Sequence, residues 1–403
     1  VIGRATILRA NARSLPLADD SVDLVVTSPP YFALRSYQDG GEHYAGQIGA
    51  EPTPGEFVDA LLDVTRECMR VLKPSGSLWV NLGDKYAANQ GAQGGTGGRA
   101  DRAQAATYEQ RPTVVGFRPK TLLGIPWRYA IRCVDELGLI LRAEIIWSKP
   151  NGLPESVTDR VRRSHEQWFH FSLNPRYFSA VDEIREPHTP HMIRYSGRSG
   201  GTGRDPSQSP RLATAEAHPL GKLPGSVWEI PTEPLNVPAH LGVDHFAAFP
   251  TEWPRRIIQG WSPSGICTEC GEGRRPVVYR ATLGHDNNPR RGVNGGDKDR
   301  WVALKAADPD RITGYVCACP EPTAPTRPAV VLDPFGGTGT TALVAKALGR
   351  HGISVDMSAD YCRLAQWRTT DEAHLAKAMR VEKPAVQVEG QISMLDLLDE
   401  EPA

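Results

Sequence analysis

Five residues followed almost at once by a double proline constrain this chain more than any other stretch. Val22-Asp23-Leu24-Val25-Val26 is an apolar run of β-branched type, and Thr27-Ser28-Pro29-Pro30-Tyr31 follows it. A run of this kind describes a buried parallel strand. Two prolines cannot continue a central strand, so the chain must leave the sheet at Pro29. The turn gathers a hydroxyl, two proline-flanking carbonyls and an aromatic ring at the carboxyl end of a strand, the edge at which open α/β sheets bind ligands.

Those groups suit one kind of chemistry. An exocyclic amino group on a nucleobase is flat and conjugated, and therefore a poor nucleophile. A side-chain oxygen at Ser28 and a backbone carbonyl at Pro29 can accept its two N–H bonds and favour a lone pair directed at an electrophile, while the ring of Tyr31 stacks on the base. An ordinary strand-ending turn is the alternative for this stretch taken alone.

The rest of the chain supplies a setting. With 403 residues, 40% hydrophobic and 23% charged, it can bury one large core and carry additions. A formal net charge of -1 means that any basic surface for an anionic partner must be local. Seven cysteines, an odd number, do not form an extracellular disulfide framework, and neither a membrane span nor a signal-peptide pattern is present, so a reduced cytoplasmic protein is expected. Residues 4–10 read as a first strand. Helical spacing of Phe57, Leu61, Val64, Cys68 and Val71 is followed by a stop at 73–76 and a strand at 77–82. A helix and strand recur at 126–137 and 141–147. Strand 167–173 is expected to form a hairpin with 176–179. Residues 85–120 are Gly-rich and basic, a loop suited to a phosphate backbone. Residues 186–240 show little periodicity, and irregular structure is expected there.

Near the C-terminus, 329–333 reads as another strand running into Pro334-Phe335-Gly336-Gly337-Thr338-Gly339-Thr340-Thr341 and a helix. Glycines permit close ligand approach, and a helix start offers N–H groups. Asp356 ends the following strand, where a carboxylate can accept hydrogen bonds from ribose hydroxyls. Neither G-x-G-x-x-G nor a P-loop lysine is present. A nucleoside without a phosphate clamp therefore fits better than a dinucleotide or ATP.

Ser28-Pro29-Pro30-Tyr31 together with Asp333-Pro334-Phe335-Gly336-Gly337-Thr338-Gly339 resembles the S-adenosylmethionine-dependent DNA amino-methyltransferases. The order, catalytic motif before cofactor motif, is similar to their β class. Residues 120–128, Ile145-Ile146-Trp147-Ser148-Lys149-Pro150-Asn151 and Leu153-Pro154-Glu155-Ser156 are similar to its middle motifs, and His245-Phe246-Ala247-Ala248-Phe249-Pro250 to the segment ahead of the cofactor strand. The resemblance implies a mostly parallel, doubly wound sheet of the Rossmann-like methyltransferase type. It implies S-adenosyl-L-methionine as cofactor, double-stranded DNA as partner, a base flipped from the duplex, and a bacterial or phage origin with a cognate restriction endonuclease. Residue by residue, it implies that Ser28 and the Pro29 carbonyl hold the target amine, with Pro30 in the same turn, and that Tyr31 stacks on the base. Phe335, Gly337 and Gly339 would form the cofactor bed with Asp333 beside them, and Asp356 would hold the ribose. Asn11 matches a position near the adenine that is often acidic in the family. Phe246, Phe249 and Pro250 would face the methionine end, with core packing the alternative for each. Serine rather than aspartate at the motif's start favours cytosine N4 over adenine N6.

Cys267, Cys270, Cys317 and Cys319 form a C-x-x-C and a C-x-C that look like the ligand set of a zinc ribbon, with His285 as an alternative ligand. Cys68, Cys133 and Cys362 read as packing residues. The expected organisation is a catalytic half at 1–182, with the loop 85–120, and target recognition at 183–240. The cofactor-binding half is 241–262 and 326–375, the zinc-binding insertion 263–325, and an acidic tail 376–403. Nothing in the sequence sets an oligomeric state. A nucleotide-dependent oxidoreductase and a non-catalytic DNA-binding module of the same fold are the competing readings. The missing phosphate fingerprint counts against the first, the intact Ser-Pro-Pro-Tyr against the second.

Overall fold

The computed structural model describes residues 2–33, 38–39, 42–43, 46–87, 116–152, 154–188, 218–235, 237–238, 241, 249–279, 310–319 and 323–382. Phe246, Leu153, His285, the middle of the basic loop, most of 186–217 and residues 383–403 of the expected tail lie outside them; 376–379 of that tail are helical. Among the described residues, no helix is long and apolar enough to cross a membrane.

An eight-stranded sheet organises the chain. Its strands are β1 (Arg4–Arg9), β2 (Val22–Thr27), β3 (Leu72–Leu82), β4 (Ile140–Ser148), β5 (His165–Ser172), β6 (Val227–Glu229), β11 (Val330–Asp333) and β12 (His351–Asp356). They lie in the order β1-β12-β11-β2-β3-β5-β4-β6. Pairing is parallel from β1 through to β3 and between β4 and β6; β5 alone runs antiparallel to both its neighbours.

All six residues of β2 are buried, as an uninterrupted apolar run demands. Its one charge, Asp23, is the exception that explains itself. One carboxylate oxygen accepts from Lys73 Nζ at 2.5 Å and the other from Val330 N at 2.8 Å, so it pins the starts of β3 and β11 to β2. The register between β2 and β3 jumps from Val22↔Leu72 to Leu24↔Ser77, which lets 73–76 loop out. The expected stop is therefore an irregularity inside one strand.

Helices cover both faces. On one side lie α1 (Pro54–Val71) and α2 (Ile125–Leu137), burying Phe57, Leu61, Tyr129 and Ala130 against Val25, Leu78 and Val80. Thr53 and Glu56 form a reciprocal capping box that starts α1, with Pro54 in the first turn. On the other side are α3 (Glu252–Trp261) and α4 (Thr340–Ala347), which meet Leu24, Val26 and Val331. Trp253 stacks between Trp168 and Trp228, at 4.9 and 5.0 Å between centroids. Each such ring buried contributes about 1.5–3 kcal/mol or more. The chain closes with α5 (Ala359–Thr370) and α6 (Glu372–Met379).

Two expectations are corrected. Strand β5 takes β3 and β4 as its partners, and 176–179 forms no strand; Phe178 N donates to Ser75 O at 2.8 Å, and the Tyr177 ring packs edge-on to His170. A slot between two apolar strands buries more side-chain surface than a short hairpin can. Within 186–240, Val227–Glu229 is regular after all, adding a parallel edge strand to β4.

Candidate active site

The two motifs meet because of strand order. β2 is followed by β3 on one side and β11 by β12 on the other, while β2 and β11 are direct neighbours through Val331↔Leu24 and Leu332↔Val25. The chain therefore winds in opposite directions from this pair, which opens a crevice at their carboxyl ends. Ser28 follows the end of β2, and Pro334 follows the end of β11.

Asp333 locks this junction. It is 1% exposed, and it accepts from Thr27 Oγ1 at 2.7 Å, Thr341 Oγ1 at 2.8 Å and Phe335 N at 3.1 Å. It joins the residue before Ser28 to the first turn of α4. Burial pushes its carboxyl up to about 6, against the opposing pull of the Thr27, Thr341 and Phe335 donors. Its carboxylate is occupied by the fold, so its place beside the cofactor bed is that of a structural tie.

The glycines divide by role. A Cβ on Gly336 would lie 1.8 Å from Ser354 Oγ, so this residue is small because β12 packs on it. Gly339 combines a left-handed φ of +72° with a Cβ position 2.9 Å from Ala365 of α5. Gly337, at φ +49°, would meet only the Phe335 carbonyl, at 3.9 Å, and so presents open backbone. Beneath the loop, buried Arg368 donates to Thr338 Oγ1 at 2.8 Å and Thr340 Oγ1 at 2.6 Å. Asp356 accepts from Gly337 N at 3.0 Å and Ser358 N at 2.9 Å, which fixes its carboxylate beside the loop.

Asn11 lies just past β1, whose Arg9 is in register with Asp356; its side chain accepts from Arg13 N at 2.9 Å. Phe249 packs edge-on to Trp168 at 5.8 Å, and Pro250 O accepts from Trp253 N at the start of α3. Both residues thus contribute to the core at this end of the sheet.

The Ser28–Tyr31 turn is held by residues that sequence reasoning did not single out. Asn81 Oδ1, from β3, lies 3.1 Å from Ser28 Oγ and 2.8 Å from Tyr31 Oη. Tyr31 Oη is also 2.6 Å from Glu166 Oε2 of β5, so its one proton is shared between an amide and a carboxylate oxygen. Glu166 is in turn ion-paired with Lys149. Asn81 itself is anchored by donating to Gln167 O at 3.0 Å. A Cβ on Gly83 would lie 2.5 Å from Tyr31 Cε2, so the bare backbone there makes room for the ring. The one available signal is that Asn81 is a polar residue directly after the apolar run Leu78-Trp79-Val80; Glu166, between His165 and Gln167, carries none. The antiparallel register of β3 with β5, which brings them together, is not written in either segment.

Neither buried core thiol is set up as a nucleophile. Burial drives the Cys68 thiol far above its ordinary value and Cys133 up to about 12. The other four expected cysteines converge: the sulfurs of Cys267, Cys270, Cys317 and Cys319 all lie within 4.8 Å of one another.

A sheet with this switch point, and these two motifs beside it, defines an α/β enzyme of the methyltransferase type. Residues 22–267 and 326–367 match the N6/N4 DNA methylase family, and the chain belongs to that family. Type II methyltransferase M.SmaI of Serratia marcescens is 31% identical over 360 residues, spanning 87% of this chain and 85% of its own length. Type II methyltransferase M.XycI of Xanthomonas campestris pv. cyanopsidis is 37% identical over 352 residues, 87% of this chain and 81% of its own. Among solved structures, the PvuII DNA methyltransferase (cytosine-N4-specific) shares the fold, with a TM-score of 0.51 at 18% identity over 95% of each chain.

Proposed function

We propose that this protein transfers a methyl group from S-adenosyl-L-methionine to an exocyclic amino nitrogen in double-stranded DNA, cytosine N4 in preference to adenine N6. The observation that carries the reading is the convergence of Ser28 and Tyr31 on Asn81 at the crevice where β2 meets β11.

The residues at the crevice fit the cofactor. Gly337 offers open backbone, Phe335 a half-buried ring, and Asp356 a carboxylate fixed beside the loop, an acceptor of the kind that ribose hydroxyls need. When bound, the cofactor would supply an electrophilic methyl: as the amine forms its N–C bond the sulfonium S–C bond would break, leaving a neutral thioether, and the surplus proton would pass to solvent. Ser28 donates a hydrogen bond to Asn81 Oδ1, so its own oxygen keeps lone pairs for an N–H of the target amine; the Pro29 carbonyl is assigned the other. Glu166 and Asn81 hold the Tyr31 ring in place for stacking on the extruded base. The raised thiols of Cys68 and Cys133 support direct attack by the amine without a covalent enzyme–base adduct. A neutral serine adds no negative charge beside the amine, and this supports cytosine over adenine.

In this reading 1–182 is the catalytic half, with 241–262 and 326–375 the cofactor-binding half. Residues 183–240 are assigned to target recognition, and a restriction endonuclease of the same specificity is the expected companion. The test is transfer of labelled methyl to duplex DNA. Ser28→Ala should lower kcat by about 10- to 100-fold, as expected for a hydrogen bond that strengthens in the transition state, and should leave cofactor affinity nearly unchanged. Wild-type turnover by Ser28→Ala would refute the assignment.

A further inference from the structure

We propose that Cys267, Cys270, Cys317 and Cys319 hold one zinc ion as a tetrathiolate, and that this ion is the structural centre of the segment that the family match leaves out. The geometry comes first. Zinc–sulfur bonds of about 2.3 Å in a tetrahedron place the sulfurs about 3.8 Å apart. Cys267 and Cys319 are 3.9 Å apart, and all four sulfurs fall within 4.8 Å. That spacing suits four ligands around one ion; a disulfide would need sulfurs about 2.05 Å apart. Four sulfurs and no other ligand class select zinc or iron among common metals.

Next is the need. The insertion contributes a hairpin, β8 (Arg275–Tyr279) with β9 (Arg311–Val316). Every described residue from 268 to 279 and from 310 to 319 is at least partly exposed. A two-stranded hairpin without a core is marginal by itself, so binding energy at a metal becomes folding energy for the segment. Zinc would take the place of up to four thiol protons, which leave to solvent.

The position gives the ion its task. Cys267 ends β7 (Ile266–Cys267), which pairs antiparallel with β10 (Thr326–Arg327), and β10 leads directly into β11 and the Gly-rich turn. The match to the DNA methylase family stops at 267 and resumes at 326. The first ligand is thus the last residue of the first matched stretch, and the other three belong to the unmatched segment. Zinc closes that excursion at its root and keeps β7 and β10 in register. Tyr315 Oη, donating to Glu183 Oε1 at 2.6 Å, fastens β9 to the body of the protein.

The experiment is elemental analysis of the full chain purified without chelator, joined to titration with a mercurial reagent beside a colorimetric zinc indicator. One zinc per chain, released as the cysteines react, is the expected result. Cys270→Ser and Cys317→Ser should each lose most of the zinc and gain protease cleavage between the two cysteine pairs, whereas Cys362→Ser should keep the metal. Wild-type protein without metal would overturn the proposal. So would iron in place of zinc, or zinc that survives both ligand substitutions.

Discussion

Replacing Gly83 with alanine should damage turnover while sparing the fold. The added Cβ would sit 2.5 Å from Cε2 and 2.9 Å from Cδ2 of Tyr31. Carbon atoms rest at about 3.5–4.0 Å, so the ring must withdraw by about 1 Å. Its hydroxyl is held at 2.6 Å by Glu166 and 2.8 Å by Asn81, and a shift of that size carries both contacts past hydrogen-bonding range. A bond to a charged acceptor is worth about 1.5–3 kcal/mol, and a misplacement of about 1 Å at a positioning group can cost about 100-fold in rate. The expected loss in kcat is therefore about 10- to 100-fold. Gly83 has no positive φ, so alanine adds no backbone strain, and the thermal midpoint should change little. Single-turnover methyl transfer with saturating cofactor and duplex DNA measures the effect. Tyr31→Phe gives a control through a double-mutant cycle, since a ring already freed of its hydroxyl contacts should lose much less on adding Gly83→Ala. Full activity in Gly83→Ala, or strict additivity with Tyr31→Phe, would refute the role given to the ring's position.

Asp356→Ala should weaken S-adenosylmethionine binding by about 1.5–3 kcal/mol while leaving duplex affinity in place; calorimetry with unchanged cofactor affinity would count against the ribose assignment. Asp333 should make stability depend on pH. Its folded pKa of about 6 lies above the unfolded value of 3.8, so its contribution is fully present below pH 4 and is lost as pH rises through 6. Urea denaturation of the wild type relative to Asp333→Asn should show a decline of about 3 kcal/mol across that window and a plateau above it; a flat difference would place Asp333 in a wetter site.

What could be read from the sequence follows the physics of each segment. The strands leading to Ser28 and Pro334 were legible because central parallel strands are continuous apolar runs, and prolines or glycines mark where they end. Their adjacency was implied by the requirement that both motifs serve one crevice. The convergence of the four cysteines was legible from paired spacing. The partners of β5 were not, because antiparallel pairing between segments far apart in sequence is decided by burial across the whole sheet. Hence the roles of Asn81 and Glu166, which hold Tyr31, are not legible in the sequence. Asp333 and Gly336 show the opposite case. The motif that the resemblance ties to a cofactor is also architecture, with Asp333 held by Thr27 and Thr341 and Gly336 packed against Ser354.

Digestion of duplex DNA to nucleosides after incubation with the protein and methyl-labelled cofactor, followed by mass spectrometry, tests the central claim most directly. The account predicts label in N4-methylcytosine, reduced by at least about 100-fold at limiting cofactor when Ser28→Ala and Asp356→Ala are combined. Label in N6-methyladenine alone would contradict the choice of base, and label in neither base across DNA of varied sequence would contradict the catalytic assignment itself.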